Sequence, residues 1–155
     1  MSTEARIQHR LGSTLVTLQF GLIIAIAWDS LPAFVAGEAP RASWVFAALG
    51  TLLGLWALST NRLGNFNIRP APRAGATLIQ HGPYGWIRHP MYTAVMAYGI
   101  AGAWANNTWW TWLAVLALVV VLTIKARYEE RWMLQAHPEY TAYRQRTRWF
   151  LPWIG

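Results

Sequence analysis

Two short clusters hold most of the residues able to do chemistry in this chain: Arg88-His89-Pro90-Met91-Tyr92 and Arg127-Tyr128-Glu129-Glu130-Arg131. The stretch from His89 to Ile124, about 36 residues, carries no formal charge. One helix of that length would reach roughly 54 Å, too long to cross a bilayer once. Asn106-Asn107-Thr108 near its middle has turn composition. The spacing therefore predicts a hairpin of two helices, residues 91–105 and 109–125, which brings the two clusters side by side. Ionisable groups at membrane depth are costly and mark functional positions.

Within the first cluster Pro90 is a helix start signal. His89 and Tyr92 then face a helix N-terminus, where backbone N–H groups attract anions. In the second cluster, helical spacing puts Glu130 on a face with Thr123, Arg127 and Leu134, and Glu129 with Lys125 and Met133. A solvated collar of internal ion pairs contributes only tenths of a kcal/mol per pair. It gives no reason for two adjacent acids to stand against Arg88 and His89.

The rest of the chain must position these groups. Of its 155 residues 55% are hydrophobic and only 12% charged, about half the charge of a soluble domain, which argues against a soluble globular protein. There is no cysteine, so disulfides, thiolate metal sites and catalytic thiols are excluded. His81, His89 and His137 are too scattered to argue zinc, and no metal is expected. Neither a Gly-rich phosphate loop after a strand nor a Ser-His-Asp order is present. The net charge of +7 would suit nucleic acid, but the Arg residues fall in blocks between long uncharged stretches, as in membrane proteins; nucleic acid is not an expected partner, and membrane lipids are.

Two further uncharged windows, residues 11–28 and 42–61, are each of bilayer length. The expected fold is an all-α polytopic membrane protein of four transmembrane helices, one domain over residues 1–155. Four spans place both termini on one side, with Arg6, Arg10, Arg62, Arg69, Arg73, Arg88, Lys125, Arg127, Arg131, Arg144, Arg146 and Arg148; the other side keeps Arg41, Asp29 and Glu38. The positive-inside bias makes the first side cytoplasmic. A bacterial inner membrane is the expected location. Trp44, Trp109, Trp110 and Trp112 would belt the outer interface. The connection from Arg62 to Pro90 is long and rich in Pro and Gly, as functional loops are.

At these residues the sequence resembles a known family. Gly82-Pro83-Tyr84-Gly85-Trp86-Ile87-Arg88-His89-Pro90-Met91-Tyr92 is similar to the Gly-Pro-Tyr…Arg-His-Pro-x-Tyr signature of isoprenylcysteine carboxyl methyltransferases and related membrane phospholipid methyltransferases. Glu129-Glu130, followed by Leu134, Tyr140, Tyr143 and Arg148…Pro152, resembles the family's C-terminal Glu-Glu block, and Pro70-Ala71-Pro72, Gly75 and Leu78-Ile79 also fit. The resemblance covers residues 61–152, leaving about residues 1–60 as an N-terminal two-helix hairpin.

The resemblance implies S-adenosylmethionine as methyl donor, bound in a cytoplasmic pocket between the loop before helix 3 and the segment after helix 4. It carries His89, Tyr92 and Glu130 into that pocket and sets Arg88 near the methyl acceptor. Arg88 and Glu130 are the expected catalytic positions; His89, Tyr92, Tyr84, Glu129, Glu130, Arg127 and Tyr140 the expected cofactor-binding ones. The chemistry agrees. A carboxylate such as Glu130 suits the cofactor's ammonium, a helix start with His89 its carboxylate, and the faces of Tyr84, Tyr92 and Tyr140 its sulfonium or adenine. The acceptor is expected to be a lipophilic small molecule or a lipid-linked group: prenylated cysteine, a phospholipid amine and a small thiol all remain open. Two other classes compete. Sterol reductases have a similar Arg-His-x-x-Tyr hairpin and use NADPH, but show an Arg-Asp pair where this chain has Glu129-Glu130. A non-enzymatic membrane subunit would explain the spans but not the clustered polar residues.

Overall fold

The computed structural model describes residues 3–61 and 77–153, with side chains from residue 10 onward. Arg62, Arg69, Arg73 and the Pro70 to Gly75 part of the resemblance lie outside the described residues. Five helices follow one another: α1 (Thr3–Val35), α2 (Arg41–Asn61), α3 (Pro90–Asn106), α4 (Trp109–Ala136) and α5 (Tyr140–Arg146), with a 3-10 turn at Gly82–Gly85. The described fold is all-α; its one β-type contact is an isolated bridge between Ile87 and Arg148.

The uncharged windows become helices, and each helix boundary has a local cause. α1 runs past Asp29, where a charge was expected to end the span. The Asp29 carboxylate is met there by Thr111 Oγ1 at 2.7 Å, and the Asn106 amide donates to the Asp29 carbonyl. The chain then turns at Gly37, whose φ of 73° is a left-handed conformation open to glycine. α3 begins on Pro90, and it ends where Asn107 adopts φ 50°, a residue type that tolerates that region. α4 continues the hairpin beyond the apolar stretch and stops at Ala136, two residues before Pro138.

Three helices are long and apolar enough to cross a membrane: Arg10–Val35, Arg41–Asn61 and Trp109–Ala136. The fourth expected span, α3, has 17 residues, or about 25 Å, shorter than the other three. It lies among α1, α2 and α4 and buries mainly small residues, Ala94, Gly99, Ala101, Gly102 and Ala103, which let helix backbones approach closely. Two glycines measure that approach. A Cβ at Gly50 would meet the Ala94 carbonyl at 3.0 Å, and one at Gly102 would meet Ile26 Cγ2 at 2.6 Å. The core between α1, α3 and α4 is Ile26, Ala103, Val115, Leu118 and Leu122. Ile24, Leu52, Leu55 and Leu116 point outward instead, the apolar exterior that a lipid environment covers. Of the expected interface aromatics, Trp44, Trp109, Trp110 and Trp112 are all exposed.

The last residues fold back on the start of α3. Arg88 N–H donates to the Arg148 carbonyl at 2.7 Å, His89 N–H to Trp149 at 3.1 Å, and Arg148 N–H to Trp86 at 3.1 Å. Thr93 Oγ1 donates to the Phe150 carbonyl at 2.8 Å. This strap takes up the backbone N–H groups of Arg88 and His89, just ahead of α3.

Candidate active site

The base of the α3–α4 hairpin gathers both sequence clusters. Arg88 sits just before α3, and Glu130 lies near the end of α4. Arg88 Nε donates to Glu130 Oε1 at 2.5 Å, and both side chains are nearly buried, at 6% and 5% exposure. Arg88 Nη1 also donates to the carbonyls of Thr147 at 2.5 Å and Arg144 at 3.2 Å. Arg144 Nε stands 3.7 Å from Glu130 Oε2. One guanidinium thus ties the start of α3 to α4 and to the strap, using the planar fork that Lys lacks. Two cations near one carboxylate, and carbonyls that take up the remaining donors of the Arg88 guanidinium, are what a buried ion pair needs to offset its desolvation.

Glu129 has different company. Its Oε1 accepts a hydrogen bond from the Tyr92 hydroxyl, and its Oε2 lies 3.6 Å from His89 Nδ1. The His89 ring lies parallel to that of Tyr92, centroids 5.5 Å apart, and Phe150 leans on it from 5.9 Å. His89 Nε2 is 3.4 Å from Glu130 Oε1 but not aligned with it; it is buried with no hydrogen-bond partner among the described residues. A buried polar nitrogen left this way calls for a ligand group or water.

Three tyrosines close the site. Asn61 Nδ2 donates to the Tyr84 hydroxyl at 3.4 Å, and the Tyr143 hydroxyl donates to the Tyr84 carbonyl at 2.7 Å. Tyr140 and Tyr143 meet edge to face at 5.6 Å. Burial pushes the Tyr84 hydroxyl up to about 12, and burial likewise raises Tyr140 and Tyr143. At neutral pH all three stay protonated, so they serve as donors and apolar walls, not as bases.

Among the expected site residues, Arg88, His89, Tyr92, Glu129 and Glu130 come together, with Tyr84 and Tyr140 beside them. Arg127 does not join them: it is exposed, its guanidinium 5.6 Å from the Trp149 ring centroid. Residues not singled out for the site also belong to it. Thr147 and Arg144 receive or brace Arg88, which the sequence does not announce because the contacts are largely backbone carbonyls. Lys125, one turn before Glu129, is buried with Nζ 2.5 Å from Gln19 Oε1; a glutamine inside an otherwise apolar span was the available signal. Among the described residues no group of three or more His, Asp or Glu side chains is arranged to hold a metal ion.

The helix lengths, the outward apolar faces and a polar, ion-paired cluster at one end of the bundle define a membrane protein with a candidate active site at a helix-hairpin base. Comparison with known proteins gives the family. Residues 42–140 match the phospholipid methyltransferase family, and the chain belongs to it, within the isoprenylcysteine-carboxyl-methyltransferase-like group of membrane methyltransferases. The match takes in α2, α3, α4 and every residue of the two clusters, but neither α1 nor the strap. The cobalt-zinc-cadmium resistance protein CzcN of Cupriavidus metallidurans is 31% identical over 153 residues, 94% of this chain and 64% of that protein. The chain thus spans just under two thirds of that relative's length.

Proposed function

We propose that this chain is an integral membrane methyltransferase that uses S-adenosylmethionine to methylate a lipophilic acceptor. The observation that carries the reading is the meeting of the acid pair Glu129-Glu130 with Arg88, His89 and Tyr92 across the hairpin base. The donor set fits the cofactor. Its ammonium needs a carboxylate, and of the two acids Glu129 is the better suited, because it meets a neutral hydroxyl and an imidazole while Glu130 is held by Arg88 and Arg144. His89 Nε2 offers a buried polar atom without a partner among the described residues, and the rings of Tyr92, Tyr84 and Tyr140 offer faces to a sulfonium or an adenine.

When bound, the cofactor supplies an electrophilic methyl group on sulfur. The chain's own residues then have to hold two reactants in line and keep water out, the main sources of rate for such a displacement. Glu130 and Arg88 fix the geometry of α3, α4 and the strap around Glu129 and His89. A carboxylate or thiolate acceptor needs no base. An amine acceptor must lose a proton, and with the tyrosines held protonated only His89 or a glutamate is on offer. Prenylated cysteine, phospholipid amines and small thiols are the acceptor classes that a membrane site of this kind would take.

Titration calorimetry of the detergent-solubilised protein tests the reading. S-adenosylhomocysteine is expected to bind and NADPH to give no heat. Binding of NADPH alone would make the protein a reductase, and binding of neither would leave a non-enzymatic subunit.

The same reading includes four spans, with α3 as the third and both termini in the cytoplasm of a bacterial inner membrane. Because the chain has no native cysteine, Asn107→Cys is a clean probe of the α3–α4 turn. It is expected to react with a membrane-impermeant maleimide from the periplasmic side. Reaction from the cytoplasmic side alone would overturn this topology.

A further inference from the structure

Arg127 takes no part in the candidate site, yet its contact shows where the strap lies. Its guanidinium stands 5.6 Å from the Trp149 ring centroid, so the strap meets α4 at the first arginine beyond the long uncharged stretch. The Arg148 side chain next to it is exposed. Leu151 and Trp153 follow, and Trp153 is 88% exposed. Trp86, whose carbonyl accepts from Arg148 N–H, is exposed as well and meets Trp56 of α2 edge to face at 6.1 Å. Exposed indoles beside arginines are the composition of a membrane–water interface, where the rings sit at headgroup depth and the cations face anionic lipid. Neither Arg127 nor Arg148 has an acid as partner among the described residues. A lipid phosphate matches the paired donors of a guanidinium.

The strap's inner edge links this surface to the site. Arg88 N–H donates to the Arg148 carbonyl and His89 N–H to the Trp149 carbonyl. Thr93 Oγ1 donates to the Phe150 carbonyl, and the Phe150 ring leans on His89. The same short segment therefore presents Arg148 outward and holds Arg88 and His89 inward. Hydrogen bonds of such a segment open locally, with a free energy set by everything else that holds it in place. An attachment that holds the strap also holds the two residues that meet the acid pair.

We infer that the strap, through Arg148 and Trp153 with Arg127 of α4, docks on anionic phospholipid headgroups, and that this docking closes the base of the α3–α4 hairpin around His89. The consequence for ligand binding rests on the methyltransferase reading; the docking and its effect on Arg88 and His89 do not. Closure and docking are then linked, and a ligand of the closed site favours the docked strap by the same factor that the lipid favours the ligand.

Hydrogen exchange of the full chain in nanodiscs tests this without any ligand. The discs are phosphatidylcholine alone, or phosphatidylcholine with an equal part of phosphatidylglycerol; both leaflets carry the lipid, so the outcome does not depend on sidedness. The readout is a peptide from Ile87 to Thr93, which holds the Arg88 and His89 amides. An arginine near an anionic surface is worth roughly fivefold in affinity, so in the wild type these amides should exchange about tenfold or more slowly in the anionic disc. Arg148→Gln keeps the strap backbone and the Arg127–Trp149 contact and should lose part of that difference. Arg127→Gln/Arg148→Gln/Trp153→Ala should lose all of it, with exchange at Leu118 and Leu122 in the core unchanged. Wild-type amides that exchange equally in both discs overturn the inference, as does a difference that survives in the triple variant. Calorimetry supplies the second arm: S-adenosylhomocysteine should bind about tenfold more tightly in the anionic disc. Phosphatidylglycerol has no amine, thiol or carboxyl group, so it is none of the proposed acceptors. Lipid-dependent exchange with equal affinity in both discs overturns the closure of the site. Lipid-dependent exchange with no binding in either disc overturns the methyltransferase reading and leaves the docking standing.

Discussion

Glu129→Gln is expected to lower affinity for S-adenosylhomocysteine by a few hundred-fold or more, with the helical circular dichroism unchanged. The argument is electrostatic. A carboxylate in a water-poor site that meets an ammonium forms a pair whose disruption costs about 3–5 kcal/mol when one partner is removed, which is a factor of a few hundred or more in affinity. The amide in Glu129→Gln is close in shape and still accepts the hydrogen bond from Tyr92, so packing is kept and the charge alone is lost. Glu139→Gln, on an exposed carboxylate beside His137, is the matched control and should bind like the wild type. Calorimetry on the three proteins decides. Equal affinity in Glu129→Gln and wild type would move the ammonium site to Glu130, the position that the sequence resemblance carried into the pocket.

Charge and length made the α3–α4 hairpin legible, because an uncharged stretch too long for one span has to turn back, and Asn106-Asn107-Thr108 is the place where it can. The same arithmetic placed Arg88 and His89 opposite Glu129 and Glu130. What the sequence hides is where polar groups are satisfied from far along the chain. α1 passes Asp29 without ending because Thr111, which is 82 residues away, takes up its carboxylate. The strap joining residues 86–89 to Arg148 and Trp149 is backbone pairing, which leaves no periodicity in side-chain type. Arg127 illustrates the converse. Its spacing from Glu130 is right for a shared helix face, yet Glu130 points into the hairpin base while Arg127 stays outside against Trp149. Spacing assigns a face, and the neighbouring elements decide which part of that face is covered.

Arg88→Ala is expected to cost about 3–5 kcal/mol of stability, among the largest effects of any single substitution here. The guanidinium is almost wholly buried and reaches three partners: Glu130 on α4, the carbonyl of Arg144 on α5, and the carbonyl of Thr147 between α5 and the strap. Removing it leaves the buried Glu130 carboxylate, among the described residues, with the more distant Arg144 as its ion-pair arginine, and an uncompensated buried charge is the expensive half of a broken pair. Arg88→Lys should fall between, since an ammonium can meet the carboxylate but cannot reproduce the fork that also serves two carbonyls. The pairing itself can be isolated. Arg88→Ala/Glu130→Gln should be less destabilised than the sum of its single variants by about 0.5–3 kcal/mol, the coupling expected of residues in contact. Thermal unfolding in detergent, followed by circular dichroism, measures all four proteins. Additive losses would mean that Arg88 and Glu130 do not share an ion pair. Wild-type stability and turnover in Arg88→Ala would reduce Arg88 to a headgroup anchor. A third pattern reads out the acceptor. If Arg88→Lys folds and keeps affinity for S-adenosylhomocysteine within a few-fold but turns over roughly a hundred-fold more slowly, about 2.7 kcal/mol of transition-state positioning, then the guanidinium that braces the hairpin base also orients the group being methylated.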